Sequence, residues 1–342
     1  MSSILPDKIE EIEMRLLHHI AVPLLILVSC TTLNEGTLRD LPLEREYVIT
    51  VLRVIDDRLP SLSEDEFQDM LDRTRAYIRE YLGYDVKFFL KANLGLLEFM
   101  RSMEFIRSSK EMAELKKSLL DPDDPGDRER LRSSIRNLVE GTDESVLRDY
   151  IPGYGNFKSR RDLSEHLCAQ YVRKLNRIRL IATKKGALAD PPYEEALTYP
   201  FWELALRHLK GSHFIFTNTI MADMELDIPI YVVLRFGITT GMVTENRRNE
   251  FGAAGVMFTM PFISRDGFFE AEREEAIPPE RLTDVIALYT VHELGHFLNH
   301  YRDYYDHRNC IMVPANDLNY YRWYRERKEK KCGLKHEKLK RL

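Results

Sequence analysis

Two histidines and a glutamate stand close together in the segment His292-Glu293-Leu294-Gly295-His296. Four residues along an α-helix bring side chains back to one face, so His292 and His296 are placed to present ring nitrogens to one zinc ion. Glu293 is turned by about 100° from His292, which keeps it out of the ligand set but near a zinc-bound water. The spacing therefore predicts a hydrolytic zinc site, in which Glu293 is the general base and the resulting hydroxide attacks an amide carbonyl.

The segment has the helical context that gives such a spacing its meaning. Pro278-Pro279-Glu280 is typical of the first turn of a helix. Apolar residues then recur with a helical period up to and through the two histidines, at Leu282, Val285, Ile286, Tyr289 and Leu294. We therefore expect one helix to carry both ligands and the base.

A catalytic zinc ion needs a third protein ligand and one open position. The favoured candidate is His307, because the segment after the helix is able to fold back to the metal. Asp303 is an alternative, since carboxylate oxygen also binds zinc. His300 is a weaker one, because it lies about 12 Å along the helix axis from His292.

The segment from His292 to Met312 resembles the zincin clan of metallopeptidases, within it the metzincins, and is most similar to the archaemetzincins. Cys310-Ile311-Met312 and Cys332 match the Cys-x-Met element and a downstream cysteine of that family. The resemblance implies an α+β, zincin-like mixed sheet with a zinc-binding helix and one catalytic zinc ion. It also implies that Met312 forms a methionine turn beneath the metal.

Two differences from the family pattern bear on the ligands. Where the family has glycine and then a third histidine, this chain has Asn299 and Arg302. Asn299 is able to adopt the left-handed conformation of a helix end, whereas arginine does not bind zinc, so the third ligand moves, which favours His307. Two further family cysteines are absent, and Cys310 and Cys332 are instead expected to form a disulfide in an oxidising compartment.

The resemblance also implies a place for the substrate. In zincins the strand before the zinc helix is an exposed sheet edge to which a peptide adds as a further strand. Residues Gly252 to Phe262 occupy that place in this chain. An ordinary buried strand is the alternative interpretation, and the sequence does not decide between the two.

The elements around the site divide the chain into parts. Tyr47 to Ile55 reads as a strand, Ser63 begins a helix through Leu82, and Asp85 to Leu90 reads as a second strand, which gives a β-α-β opening within residues 31–91. Residues 92–195 have charged, helical-period sequence and are predicted to be a helical insertion. Residues 196–342 form the zinc-binding part, with a helix at 201–209. Its strands are predicted at Phe214 to Thr217, Ile230 to Leu234 and Gly255 to Phe262.

The N-terminal segment, residues 1–30, has the pattern of a signal peptide. Ile20 to Val28 is apolar, and Leu27-Val28-Ser29-Cys30 resembles the lipobox of bacterial lipoproteins, in which the cysteine is acylated. The residues before Met14 are acidic, so we expect translation to start at Met14, where a short basic-to-neutral segment precedes the apolar run. The alternative is an N-terminal amphipathic or buried helix in a cytoplasmic protein translated from Met1.

Composition excludes several classes of protein. With 342 residues, 44% of them hydrophobic and 31% charged, the chain is neither disordered nor collagen-like. Fifty basic and 55 acidic side chains give a net charge of −5, so no nucleic-acid partner is expected. No apolar run reaches the roughly 18 residues that span a bilayer. The basic segment from Arg322 to Leu342 is predicted to be a solvated helix, or alternatively a contact with anionic lipid or cell wall.

Together these patterns predict a zinc metallopeptidase in the bacterial cell envelope. It would be anchored in the membrane by lipid on Cys30, face the periplasm or exterior, and act on a protein or peptide. The competing hypotheses are a non-catalytic zincin-fold lipoprotein that acts as a binding or assembly factor, and a cytoplasmic peptidase.

Overall fold

The computed structural model describes residues 41, 45–117, 119–184, 193–224, 228–305 and 309–329. The predicted signal segment with Met14 and Cys30 lies outside these residues, as do His307 and Cys332. The lipid anchor, ligation by His307 and the pairing of Cys310 with Cys332 therefore stay predictions. Among the described residues no helix is both long enough and apolar enough to cross a membrane.

The first described elements form the expected β-α-β unit. Strand β1 is Glu46–Ile55, helix α1 is Glu64–Tyr81 and strand β2 is Asp85–Gly95. The Ser63 hydroxyl accepts from the Glu66 amide, and the Glu66 carboxylate accepts from the Ser63 amide, which is the predicted capping box. The two strands pair in parallel, with Glu46 opposite Asp85. Strand β2 continues past Leu90 to Gly95, so the helical region begins later than residue 92.

The region predicted as a helical insertion is helical wherever the structure describes it after Gly95. Its helices are α2 Leu96–Ser102, α3 Glu104–Arg107, α4 Lys110–Lys116, α5 Pro125–Gly141, α6 Glu144–Tyr150, α7 Arg160–Lys184 and α8 Tyr193–Ala196. A short 3₁₀ helix, Tyr154–Asn156, lies between α6 and α7. The region is attached to the rest of the protein at several points, for example where the Tyr171 hydroxyl donates to the Asp223 carbonyl.

The remaining part supplies the other strands and the helix with the two histidines. Its elements are α9 Tyr199–His208, β3 Phe214–Thr217, β4 Met221–Ala222, α10 Ile230–Leu234, β5 Ile238–Thr239, β6 Gly241–Glu245, β7 Ala253–Phe258, α11 Met260–Ile263, α12 Gly267–Glu272, α13 Leu282–Asn299 and α14 Tyr320–Glu329. A 3₁₀ turn, Pro279–Arg281, leads into α13.

Two strand predictions in this part need correction. Ile230 to Leu234 is helical, because Pro229 begins a helical turn and the Arg235 amide donates to the Tyr231 carbonyl. Gly255 to Phe262 is a strand only as far as Phe258, since Pro261 lies in the short helix α11. A run of β-branched and aromatic residues fits a buried helical turn as well as a strand when it is this short.

The main sheet has five strands in the order β2-β1-β3-β7-β6. The pairs β1–β2, β1–β3 and β3–β7 are parallel, and β6 pairs antiparallel with β7. The proposal of an exposed edge at Gly252 to Phe262 is therefore wrong: β7 is buried between β3 and β6, and the edge strand on this side of the sheet is β6, Gly241–Glu245. A buried strand was the alternative interpretation of this segment.

Helices cover both faces of this mixed, mostly parallel sheet. Phe216 of β3 packs against Phe67 of α1, with ring centroids 5.4 Å apart. Phe258 of β7 packs on the other face against Trp202 of α9, at 5.2 Å. Helix α13 lies beside α1, where Asp284 accepts hydrogen bonds from Arg73 and Tyr77. These contacts place α13 over the end of the sheet where β6 begins.

The capping box gives a test of the first helix. Replacing Ser63 by alanine removes the side-chain acceptor for the Glu66 amide and should lower the free energy of unfolding by about 1 kcal/mol. Urea denaturation followed by circular dichroism measures this change. Ser61→Ala, an exposed serine just outside the helix, is the control and should be neutral. An equal effect of the two variants would show that the box does not stabilise the fold.

Candidate metal centre

Helix α13 carries the predicted ligands in its second half and is buried along most of its length. His292 is 2% exposed and Glu293 is 5% exposed, so both polar side chains have been moved out of water. Such burial is costly unless each polar atom finds a partner. The partners that these side chains find define the site.

Three ligand atoms converge at this place. The Nε2 atoms of His292 and His296 are 3.3 Å apart. The Oδ1 atom of Asp303 lies 3.4 Å from Nε2 of His292 and 3.5 Å from Nε2 of His296. Among the described residues this is the group of histidine, cysteine and acidic side chains that is able to hold a metal ion.

The spacing of the three atoms matches a tetrahedral zinc ion. Ligand atoms about 2.0–2.1 Å from zinc at tetrahedral corners lie about 3.3–3.4 Å from one another. The three observed separations, 3.3, 3.4 and 3.5 Å, are close to that value on every side of the triangle. A tetrahedral metal ion held by these two imidazoles and one carboxylate would have a fourth position open for water or substrate.

Hydrogen bonds on the far side of each ring fix its orientation. Nδ1 of His292 is 2.8 Å from the Ile311 carbonyl, and Nδ1 of His296 is 2.5 Å from the Tyr301 carbonyl. Because a carbonyl only accepts, each Nδ1 carries the hydrogen and donates it. A neutral ring then has a lone pair on Nε2, the form that binds a metal ion.

The inner side of the triangle explains why a cation fits there. Asp303 Oδ1 is buried and has no hydrogen bond in the described part of the protein. With neutral rings, three lone-pair atoms face one another without a proton between them, which is repulsive. Either a metal ion or a proton on Nε2 must supply the missing positive charge.

A sharp reversal after α13 brings Asp303 to the helix. His300 follows the last helical residue with φ 53°, and its amide donates to the Gly295 carbonyl. The left-handed residue is thus His300, whereas the sequence analysis assigned that conformation to Asn299. His300 is used for the turn and is not part of the ligand group. The favoured third ligand, His307, lies outside the described residues, and the structure places the alternative, Asp303, at the site.

Met312 lies directly against helix α13. A Cβ atom added at Gly295 would lie 2.3 Å from the Met312 sulfur, so only glycine leaves room for the methionine. The neighbouring carbonyl of Ile311 orients His292, and the Met312 carbonyl accepts from the Tyr304 amide. The turn around Met312 therefore supports both the first histidine and the segment that carries Asp303. Cys310, which precedes this turn, is buried.

Glu293 lies beside the ligands and against the edge strand. A Cβ atom added at Gly241 would lie 2.0 Å from Cδ and 2.3 Å from Oε1 of Glu293. The first residue of β6 must therefore be glycine for this carboxylate to keep its position. Sequence reasoning missed Gly241, because nothing in its local pattern indicates that a distant side chain packs on it.

The titration of the site follows from burial and from the short distances between charges. Burial raises the pKa of Glu293, and the adjacent Asp303 adds to this effect against the opposing influence of the two histidines. Burial also opposes ionisation of Asp303, but contact with His292 and His296 outweighs it and holds the pKa of Asp303 far below its usual range. Burial acts against a charge on His296, yet its contact with Asp303 raises the pKa of His296 to about 9.

Zinc analysis tests the ligand set. The purified protein should hold about one zinc ion per chain, and His292→Ala, His296→Ala and Asp303→Ala should each lose it, because two remaining ligands bind weakly. Elemental analysis after dialysis measures the content. His300→Ala is the control and should keep the metal. His307→Ala removes the other candidate third ligand and should keep the metal if Asp303 fills that position. Loss in His307→Ala with retention in Asp303→Ala would reject Asp303 as the third ligand.

The metal-free protein should depend on pH in a definite direction. The pKa of His296 is raised from 6.5 to about 9 in the folded state, so protonated His296 stabilises the fold below pH 6.5. This contribution, on the order of 3 kcal/mol, is lost as the pH rises through 9. Urea denaturation in the presence of a chelator at pH 6.5, 7.5 and 9 measures it. Asp303→Asn should flatten the dependence, and an increase in stability with pH would contradict the assignment.

Comparison with known proteins adds no relative to this picture. No protein-family model, curated protein or solved structure matches the chain. The support for the candidate metal centre is therefore the arrangement of its own residues.

Proposed function

We propose that the protein is a zinc-dependent hydrolase of peptide bonds with a metzincin-like active site. One observation carries the proposal: a triangle of two imidazole nitrogens and one carboxylate oxygen with zinc spacing, next to a buried glutamate that is not part of the triangle. A site with three protein ligands and an open position is typical of catalytic zinc.

The choice of zinc follows from the donor set. Two histidine nitrogens and one carboxylate oxygen suit a borderline metal ion, whereas calcium and magnesium prefer oxygen ligands alone. The small, nearly equilateral triangle fits tetrahedral coordination better than the larger polyhedra of those ions. Iron sites with two histidines and one carboxylate share these ligands, and elemental analysis distinguishes the two metals.

The residues of the chain perform the remaining steps. A zinc ion bound here would supply a water of lowered pKa and polarise the carbonyl of the substrate. Glu293 accepts a proton and later donates it to the departing amine, and its raised pKa brings it nearer to neutral pH, where such exchange is efficient. Ile311 and Tyr301 keep both imidazoles oriented throughout, since each carbonyl fixes one ring.

The residues of the site favour a catalytic metal ion over a purely structural one. A structural zinc site is closed by four protein ligands and has no need of a positioned base. Here the described residues provide three ligands, and Glu293 is held in place by the close approach of Gly241. We further propose that the substrate is a protein or peptide, and that lipid on Cys30 anchors the protein in the cell envelope.

Peptide cleavage tests the function and the role of Glu293. The zinc-loaded protein should cleave members of a mixed peptide library, detected by mass spectrometry. Glu293→Gln should lower the rate by about 10² to 10⁴, because proton transfer to a positioned group is lost. Gly241→Ala should also lower it strongly, since the new methyl group would displace Glu293.

Controls separate this result from damage to the fold. Both variants should keep zinc, because neither residue is a ligand. Gly267→Ala is the matched control, as a Cβ atom there meets nothing within 4 Å, and it should cleave at the wild-type rate. Cleavage by Glu293→Gln at the wild-type rate, or no cleavage by the zinc-loaded wild type, would refute the proposal.

A further inference from the structure

Arg235 is a buried cation near the metal centre that the ligand set does not include. It follows α10 and is 1% exposed. Four of its five N–H groups are used: Nη2 donates to the Tyr289 hydroxyl and to the Ala315 carbonyl, both at 2.8 Å. Nε donates to the Asp317 carbonyl at 3.1 Å, and Nη1 donates to the Thr240 hydroxyl at 3.1 Å.

These acceptors are all neutral, which is unusual for a buried guanidinium. No carboxylate of the described residues forms an ion pair with Arg235. Moving a charge out of water without an opposite charge beside it is costly. The guanidinium of Arg235 must therefore be compensated by well-formed hydrogen bonds. The backbone next to Arg235 is also strained, since Phe236 has a φ of 61°, a region that a bulky residue seldom adopts.

Three of the four acceptors belong to different parts of the metal centre, and the fourth, the Asp317 carbonyl, lies in the same segment as Ala315. Tyr289 lies one helical turn before His292, and its ring centroid is 5.2 Å from that of His292. Ala315 lies in the segment that continues from Ile311, whose carbonyl orients His292. Thr240 directly precedes Gly241, the residue on which Glu293 packs. One side chain thus joins the metal helix, the turn beneath it and the edge strand.

We propose that Arg235 is a positioning residue of the metal centre, which fixes His292 and Glu293 through its four hydrogen bonds. The proposal rests on the zinc site proposed above. Arg235 touches neither the ligand atoms nor the base, and it acts by holding Tyr289, Ala315 and Thr240 at fixed separations.

The planar fork of arginine is the feature that this role requires. A lysine ammonium has the same charge, but it is a point with three donors on a flexible stem and does not span acceptors on opposite sides of a guanidinium. If the positions of the N–H donors are decisive, Arg235→Lys should weaken Zn²⁺ binding almost as much as replacement by an uncharged residue of similar size. If charge alone is decisive, lysine should restore the site.

Metal affinity of the full-length protein distinguishes these cases. We would measure Zn²⁺ binding by competition with a chromophoric chelator, and record the visible absorption of the Co²⁺-substituted protein as a signature of ligand geometry. Arg235→Lys and Arg235→Met should each bind Zn²⁺ about 10-fold more weakly than wild type, the low end of the range for loss of a group bonded directly to a ligand, because Arg235 acts one contact further away. Their Co²⁺ spectra should also differ from that of the wild type.

Arg273→Lys is the matched control. Arg273 is likewise buried and donates to backbone carbonyls, those of Ser264, Pro261 and Phe262. Its replacement should lower the melting temperature but leave the Zn²⁺ affinity and the Co²⁺ spectrum unchanged. A general loss of stability therefore does not imitate the expected result.

Variants of the acceptors cover the case in which the Arg235 variants do not fold. Tyr289→Phe and Thr240→Val each remove one acceptor and keep the size of the side chain. Together they should weaken Zn²⁺ binding several-fold, whereas Thr74→Val, which removes a buried hydroxyl bonded within α1, should not.

The outcomes separate this inference from the proposed function. Wild-type Zn²⁺ affinity and an unchanged Co²⁺ spectrum in folded Arg235→Lys, or in the double variant Thr240→Val/Tyr289→Phe, would overturn the role of Arg235 alone. Failure of the wild type to bind Zn²⁺ would instead reject the metal site itself.

Discussion

The structure depends on the convergence of three lone-pair atoms in a buried space. Nε2 of His292, Nε2 of His296 and Oδ1 of Asp303 lie 3.3 to 3.5 Å apart, and Oδ1 has no hydrogen bond there. Such an arrangement is stable only with a positive charge at its centre. In the metal-free protein a proton on His296, whose pKa is raised against the effect of burial to about 9 by its contact with Asp303, supplies that charge, and a bound metal ion would replace it.

Two backbone carbonyls and two glycines keep the side chains of the site in position. Ile311 and Tyr301 accept the Nδ1 hydrogens, so the rings do not turn away from one another. Gly295 and Gly241 allow Met312 and Glu293 to approach more closely than any Cβ atom would permit. Since these contacts come from the edge strand and from the turn after the helix, the metal centre is a product of the whole sheet and helix arrangement.

How much of this was predictable depends on how local each feature is. The helix of His292 and His296, the capping box at Ser63 and strand β3 all follow from short patterns, and the structure has them. The placement of Asp303 is set by a left-handed turn at His300, which residue types alone do not fix. The helix at Ile230–Leu234 begins after Pro229, a local signal that the run of β-branched residues concealed, whereas the edge strand β6 depends on tertiary packing that no window of sequence contains.

The difference between locally encoded features and features set by remote contacts bears on the proposed activity. The three residues of the candidate metal centre lie close together in the chain, so a local motif specifies which side chains converge. The base, in contrast, depends on Gly241, and the helix on Arg235, residues far from the motif in sequence. Substitution at those distant positions would leave the histidines and the glutamate intact but misplace them. Because a displacement of about 1 Å is enough to cost an enzyme much of its rate, the proposed activity requires both: the motif specifies the candidate ligands, and the remote contacts set their positions.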